Sequence, residues 1–340
     1  MKKIRIEDAV GMILGHDVTQ IIPGKFKGPR FRKGHRIRKE DISEFLKIGK
    51  EHIYVMKLKS GVIHEDDAAI RLGRAFWGKN IEMTSPSEGK VTLRSRINGI
   101  LQINLPLLHR INLSQNIILS TIHRYTPCFP GMAVGATRII SLTAPEKQIH
   151  KMEDWCEKKG PVIEILPYQK LKVGVVITGN EFFKRRTEDR FDDKIGKKIA
   201  HFGSRVIKKI VVPDDIHQIA QALINFRDTS ADLILVTGGL SVDPDDVTRA
   251  GIKKAKAKII FYGTPVLPGA MFLYGKLGKK SVLGLPACVF YHPVTLFDLI
   301  FPRILAGVEL NRKEISHLGH GGFCQNCNPC HFPMCPFGKG

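Results

Sequence analysis

The sequence predicts an α/β fold with a largely parallel sheet over residues 170–310, preceded by a mixed, β-rich N-terminal region. Three observations predict it. Strand-length apolar runs alternate with helical stretches across residues 171–307, the pattern of strands joined by helical crossovers. Two of those runs end in polar glycine turns, TGNEF at 178–182 and TGGLS at 237–241. Upstream, over residues 61–144, Gly, Pro, Asn and Ser interrupt short apolar stretches at the spacing of a β-rich domain.

A chain of 340 residues that is 43% hydrophobic can bury a sizeable core and divides into two or three domains. The opening MKKIRIEDAV is basic but lacks an apolar h-region. No run approaches the roughly 18 apolar residues of a membrane helix, so a soluble, cytoplasmic protein without a membrane partner is expected. Lys plus Arg number 53 against 32 Asp plus Glu, a field that favours anionic ligands or surfaces. The densest patch, residues 23–39, holds eight basic residues and no acid, with only Phe26 and Phe31 as aromatics. It reads as a solvated basic loop or an anion-binding surface, and does not point to nucleic acid.

Residues 1–58 read as a mixed segment, with a helical stretch beginning near Lys39 and a strand over 52–58. Residues 59–145 follow as the β-rich domain, with ILQINL (100–105) and IILSTI (117–122) as strands. Residues 146–169 form a linker in which the charged stretch 144–160 is helical. The α/β domain of 170–310 begins with the strand LKVGVVIT (171–178), continues as a helix to about His201, and returns as the strand 205–212. Asp215 and Gln218 have capping-box spacing, and Ile216, Ile219, Leu223 and Phe226 form an apolar helical stripe. The strand 231–237, a helix over 245–256 and a strand at 258–263 come next. Residues 272–285 read as two short strands about a glycine turn, and 289–306 as a buried helix bent at Pro293.

Chemistry concentrates in VTGGLSVDPDDVT (236–248). Gly238 and Gly239 permit torsions and a close ligand approach that side chains would block. Their amides, with a helix N-terminus opened by Asp245 and Asp246, would attract an anion. Those carboxylates and Asp243 repel a bare phosphate, and a magnesium ion between them removes the conflict. A helix-capping turn with solvated acids is the plainer alternative. Both glycine turns should emerge at one sheet edge, where open α/β sheets bind ligands.

TGNEF, TEDRF (187–191), VTGGLSVDPDDVT, PVLPGAMFLYGKL (265–277) and VLGLPACVFYHP (282–293) resemble, in order, the molybdopterin-binding domain of molybdopterin molybdenumtransferases over about 170–307. The resemblance implies a three-layer α/β domain that binds the pterin dithiolene phosphate or its adenylylated form and uses magnesium in molybdenum insertion. By position it implies cofactor contacts at Thr178, Gly179, Asn180, Glu181, Gly238, Gly239, Leu240, Ser241 and Pro286, and catalytic roles for Asp189 and Asp246. The family usually places lysines where this chain has Leu267 and Ala270, and its PGNP loop reads Pro286, Ala287, Cys288, Val289 here. Loss of those cations removes charge-assisted anion contacts. The expected role is therefore molybdenum or tungsten cofactor assembly, at metal insertion or a related step. The alternatives are a non-enzymatic cofactor carrier or insertion chaperone, and, from similar wording in the competence-damage-inducible branch, a nucleotide pyrophosphatase-like hydrolase. Molybdate or tungstate and a recipient molybdoenzyme are the implied partners, with a homodimer left open.

The tail carries Cys324, Cys327, Cys330 and Cys335 within twelve residues. This spacing points to a metal. It approaches iron–sulfur ligation, although ferredoxin runs leave three residues before the last cysteine and this tail leaves four. Zinc is the other reading, with His317, His320 or His331 as substitute ligands, and a flexible redox tail is the third. Cys128 and Cys156 read as ordinary buried thiols, whereas Cys288 lies in the expected ligand loop, where a thiol could meet a metal or a dithiolene.

Overall fold

A computed structural model describes residues 1–56, 60–184, 190–244 and 246–339. The chain forms two compact units, one of residues 1–124 with 128–166 and one of 125–127 with 167–340. Among the described residues no helix is long and apolar enough to cross a membrane.

In the first unit, strand Lys2–Arg5 pairs antiparallel with His52–Val55. Helix Asp41–Lys47 buries Phe45 in a small core with Ile6, Leu14, Ile37 and Ile53. Much of the basic patch is a hairpin, Val18–Ile22 against Phe26–Phe31, turned at Gly24, whose φ is +71°. The following region is β-rich as expected, with a sheet of Ile81–Met83, Lys90–Ser95, Ala133–Ile139 and Ile117–Thr121. It also contains two helices that the β texture hides, Glu65–Phe76 and Leu105–Asn112. The first buries Ala68, Ala69, Leu72 and Phe76, a helical period lying among strand-like neighbours. Helix Glu146–Lys159 does more than connect, since Ile149, Met152 and Cys156 share one core with Leu72 and Phe76. Burial pushes the Cys128 thiol up to about 12 and that of Cys156 to about 11, so both are inert packing groups.

A buried histidine ties this unit's parts together. His64 Nε2 donates to the Gly15 carbonyl, leaving Nδ1 to accept from Lys33 Nζ at 2.7 Å and from the Asp66 N–H at 3.1 Å. An imidazole that accepts at Nδ1 is neutral. Burial first, then the Lys33 charge, hold it below its ordinary 6.5, with Asp66 and Asp67 opposing. The unfolded chain therefore takes up the proton first, and this unit should lose stability as pH falls through 6.5. Chemical denaturation across pH 5.5–8 should show that slope flattened in His64→Gln. The comparison isolates His64, because burial raises the Glu65 carboxyl and works in the opposite sense. An unchanged slope in the variant would assign the dependence elsewhere.

The second unit has the expected sheet. Its elements are β1 (Lys172–Thr178), α1 (Lys197–His201), β2 (Arg205–Val212), α2 (Ile216–Arg227), β3 (Leu233–Thr237), α3 (Thr248–Lys254), β4 (Lys258–Tyr262), β5 (Leu273–Leu277), β6 (Lys280–Leu285), α4 (Leu296–Leu305) and α5 (Arg312–His317). The strand order is β2-β1-β3-β6-β5-β4, parallel from β2 to β6, with β5 and β4 antiparallel at the edge. Because side chains alternate along a strand, Val173, Val175 and Ile177 of β1 join Ile199 of α1 and Phe297 and Phe301 of α4. Val176 faces the opposite way, into a core with Ile219, Leu223 and Phe226 of α2 and Ile252 of α3. The result is three layers, helices on both faces of one sheet. α2 lies close over Gly174, where an added Cβ would meet the Phe226 ring at 2.5 Å.

Two boundaries differ from the sequence reading, and one cap agrees with it. Asp215 caps α2 by accepting from the His217 and Gln218 N–H groups at 3.0 and 2.8 Å, which is the expected cap. α3, however, begins at Thr248, so Asp246 precedes the helix instead of opening it. The region of residues 289–306 is no bent helix: a short 3-10 turn, Ala287–Phe290, ends before Pro293, and Thr295 with Asp298 then starts α4 through a capping box. A proline lacks the N–H and blocks the preceding turn, so the chain restarts after it. The tail packs on this unit through Leu318 and Phe337, buried in the core that holds Leu299, with Phe332 and Cys335 against it.

Candidate functional site

Ile177, Thr237 and Leu285 lie in register on β1, β3 and β6, so the loops after the three strands leave from one edge. β1 leads to β2 on one side and β3 lies on the other, which makes the β1/β3 border the switch point where such sheets bind ligands. At this edge lies a cavity of about 660 Å³. The turn after β3 forms one wall, with Gly238, Gly239, Leu240 and Ser241, followed by Asp243 and Asp246. The loop after β6 forms a second, with Pro286, Ala287, Cys288 and His292. Residues 267–271 form a third, and the tail residues Phe323, Cys324 and Asn326 a fourth.

The β3 turn is tightly built. Gly238 and Gly239 have φ of +90° and +55°, left-handed torsions that favour glycine. A Cβ on Gly238 would meet the Thr178 carbonyl at 2.4 Å, and one on Gly239 the Thr248 hydroxyl at 2.5 Å. Both glycines therefore accommodate the protein's own packing. Thr178 is buried behind the turn, where its hydroxyl donates to the Thr237 carbonyl at 3.1 Å and pairs with the Thr248 hydroxyl at 3.0 Å. Leu240 buries its side chain in the α2/α3 core, and its carbonyl accepts from Tyr262 Oη at 2.7 Å. What the turn offers the cavity is backbone.

The structure thus gathers Gly238, Gly239, Leu240, Ser241, Asp246 and Pro286 around one space. Thr178, Gly179, Asn180 and Glu181 are not among its lining residues. Gly179 is buried, Asn180 and Glu181 are exposed, and the Asn180 N–H donates to Asp214 at 2.9 Å. Asp189 and Asp245 lie outside the described residues. Leu267 and Ala270 line the cavity where lysines were expected to be missing. Among its described lining residues there is no lysine or arginine, while Asp243 and Asp246 bring two carboxylates. The Asp246 carboxylate accepts from the Asp243 N–H at 3.3 Å, and the Asp246 N–H donates to the Asp243 carbonyl at 3.0 Å, closing a turn that holds both acids at the rim. Two carboxylates without a fixed cation suit a divalent ion that bridges to a phosphate.

The sequence reading missed the tail wall. Leu267 N–H donates to the Gly322 carbonyl and Cys324 N–H to the Leu267 carbonyl, each at 2.8 Å, so residues 322–324 run beside Leu267 like an added strand. His292 Nδ1 lies 3.2 Å from the Asn326 carboxamide oxygen, joining the β6 loop to the tail. Cys324 therefore belongs to the cavity. Among the described residues no three of His, Cys, Asp or Glu come together as a metal site, so the four tail cysteines are not gathered into a tetrad. Cys324 and Cys335 pack against the core while Cys327 and Cys330 are exposed. Phe337, buried, and Phe332 pack this segment against the core, beside the backbone hydrogen bonds to Leu267.

Residues 174–306 match the family described as "Probable molybdopterin binding domain", and residues 3–57 match a domain of unknown function. A molybdopterin molybdenumtransferase of Haemophilus influenzae is 30% identical over 152 residues, 42% of this chain and 37% of that protein. A molybdopterin adenylyltransferase of Pyrococcus furiosus is 30% identical over 153 residues, 43% of this chain and 88% of that protein. The crystal structure of a molybdopterin biosynthesis MoeA protein from Pyrococcus horikoshii aligns with 90% of this chain and 75% of its own, at 16% identity and a TM-score of 0.34. The chain spans about a third of the length of the first curated relatives it matches, 37%, 33% and 35%. The matched segment coincides with the three-layer unit and includes the β3 turn and the β6 loop that wall the cavity, so the chain belongs to the molybdopterin-binding domain superfamily.

Proposed function

We propose that the cavity binds molybdopterin, or its adenylylated form, and that the protein acts in molybdenum or tungsten cofactor assembly, at metal insertion or a closely related step. The observation that carries this reading is the convergence of the β3 turn, the β6 loop and two carboxylates on one cavity at the edge of the sheet where the parallel strands end. The turn's backbone would take the pterin phosphate. Asp243 and Asp246 would hold magnesium, which supplies positive charge between carboxylates and phosphate, with Asp189 as a further acid. The missing lysines set the balance between catalyst and carrier. Without fixed cations to capture molybdate or tungstate, a carrier that passes finished cofactor to a recipient enzyme is favoured as the second reading by Leu267 and Ala270 at the cavity wall.

A metal centre in the tail, iron–sulfur or zinc, is a rival use of Cys324. It would require the exposed Cys327 and Cys330 to fold back toward Cys324 and Cys335, and metal and sulfide analysis of anaerobically purified protein tests it. Native mass spectrometry of the same preparation, as purified, tests the main reading. A metal-free pterin adduct is the expected result for an insertion step, and complete cofactor for a carrier. A nucleotide as the only bound species would replace both with a hydrolase.

A further inference from the structure

Cys288 and Cys324 line the same cavity although they stand 36 positions apart in sequence, one on the β6 loop and one on the tail. Both are free and half-buried. The two loops are tied together around them. The His292 N–H donates to the Cys288 carbonyl at 3.0 Å, the His292 ring reaches Asn326, and the Asn326 N–H points at Cys324 Sγ at 3.5 Å. A backbone N–H directed at sulfur is the kind of contact that metal-bound cysteines accept, while burial raises the Cys288 thiol, so that thiol ionises only with a cation to meet it. Met271 adds a thioether to the same wall, and no lysine or arginine lies among the described lining residues. Set apart from Asp243 and Asp246 on the β3 side, the sulfurs of Cys288, Cys324 and Met271 are soft donors. They match a thiophilic metal and are poorly matched to a bare oxyanion.

We propose that Cys288 and Cys324 form a two-thiolate half-site for a thiophilic divalent cation of the zinc class, completed by two sulfurs of a dithiolene ligand bound in the cavity. The identity of that ligand rests on the proposed function; the pair of thiols does not. Two protein sulfurs are too few to close a tetrahedral site. Two ligand sulfurs bring the count to four. Binding is a ligand exchange: the aqua cation gives up its bound waters, each thiol releases one proton to solvent, two metal–sulfur bonds form to the protein and two to the dithiolate, and nothing is oxidised or reduced.

Cobalt(II) with ethane-1,2-dithiol serves as the probe, in protein carrying Cys327→Ser, Cys330→Ser and Cys335→Ser so that the rest of the tail cannot contribute. One cobalt per chain is expected, with the intense visible absorption of a tetrahedral cobalt–sulfur centre. Adding Cys288→Ser or Cys324→Ser should weaken binding by more than the roughly 10–100-fold that loss of an outer-sphere partner costs. Both together should abolish the absorption. Alanine versions of the same variants and circular dichroism separate loss of the site from loss of the fold. Cobalt bound equally well without Cys288 and Cys324, or no cobalt–sulfur absorption in the starting protein, would overturn the half-site. The probe contains no pterin, so either result stands apart from whether the cavity binds molybdopterin.

Discussion

Gly238→Ala should lower the stability of the second unit by roughly 3–5 kcal/mol, the sum of a left-handed torsion on a non-glycine residue and overpacking against rigid backbone. The added methyl would lie 2.4 Å from the Thr178 carbonyl and 2.8 Å from its hydroxyl. Neither can move cheaply. Thr178 ends β1, where it pairs with Val212 of β2, and its hydroxyl is held by Thr237 and Thr248. Gly278→Ala provides the control: its φ is +59°, but nothing lies within 4 Å of the new methyl. That substitution should cost only roughly 1–2 kcal/mol, the torsional penalty alone. Urea denaturation of the two variants reads the difference directly. Equal losses would mean that the turn is not braced against Thr178 as described. The same methyl would shift the backbone of residues 238–241, so pterin binding should fall with stability.

The glycine turns, the parallel sheet and the Asp215 cap were legible because each is a local matter: strand length, a residue that tolerates positive φ, a carboxylate next to free N–H groups. Two glycine turns at one sheet edge were legible too, but the cavity is walled by the β3 turn with the β6 loop, and the turn after β1 is not among its described lining residues. What lay beyond reach was long-range. Nothing in the sequence near Phe323 says that it runs beside Leu267, and the cysteine spacing drew attention to the tail as a closed metal site when one member, Cys324, serves the cavity wall. Cys288 was visible as a thiol in a ligand loop, but its companion was not. Thr178, which the family resemblance placed along the same edge, has its hydroxyl hydrogen-bonded behind the turn. The start of α3 was misplaced because Asp245 and Asp246 look like an N-terminal turn, whereas the Asp246 carboxylate closes onto the Asp243 N–H. Helix Glu65–Phe76 was lost among glycines and short apolar runs of its neighbours.

The second large effect concerns the two acids at the cavity rim. Asp243→Asn with Asp246→Asn keeps an acceptor to close the turn while removing both charges. With magnesium present, the variant should bind molybdopterin about 10²–10⁴-fold more weakly, because each of the two lost charge-assisted contacts is worth roughly 1.5–3 kcal/mol. Without magnesium the order should reverse, since the wild-type carboxylates then repel the phosphate. Equilibrium binding of molybdopterin to wild type and variant across a magnesium titration is the most direct measurement of the central claim. The account predicts binding that tightens with magnesium in wild type only, and two curves that cross. Wild type that binds no molybdopterin at any magnesium concentration, or a variant that follows the wild-type curve throughout, would contradict it.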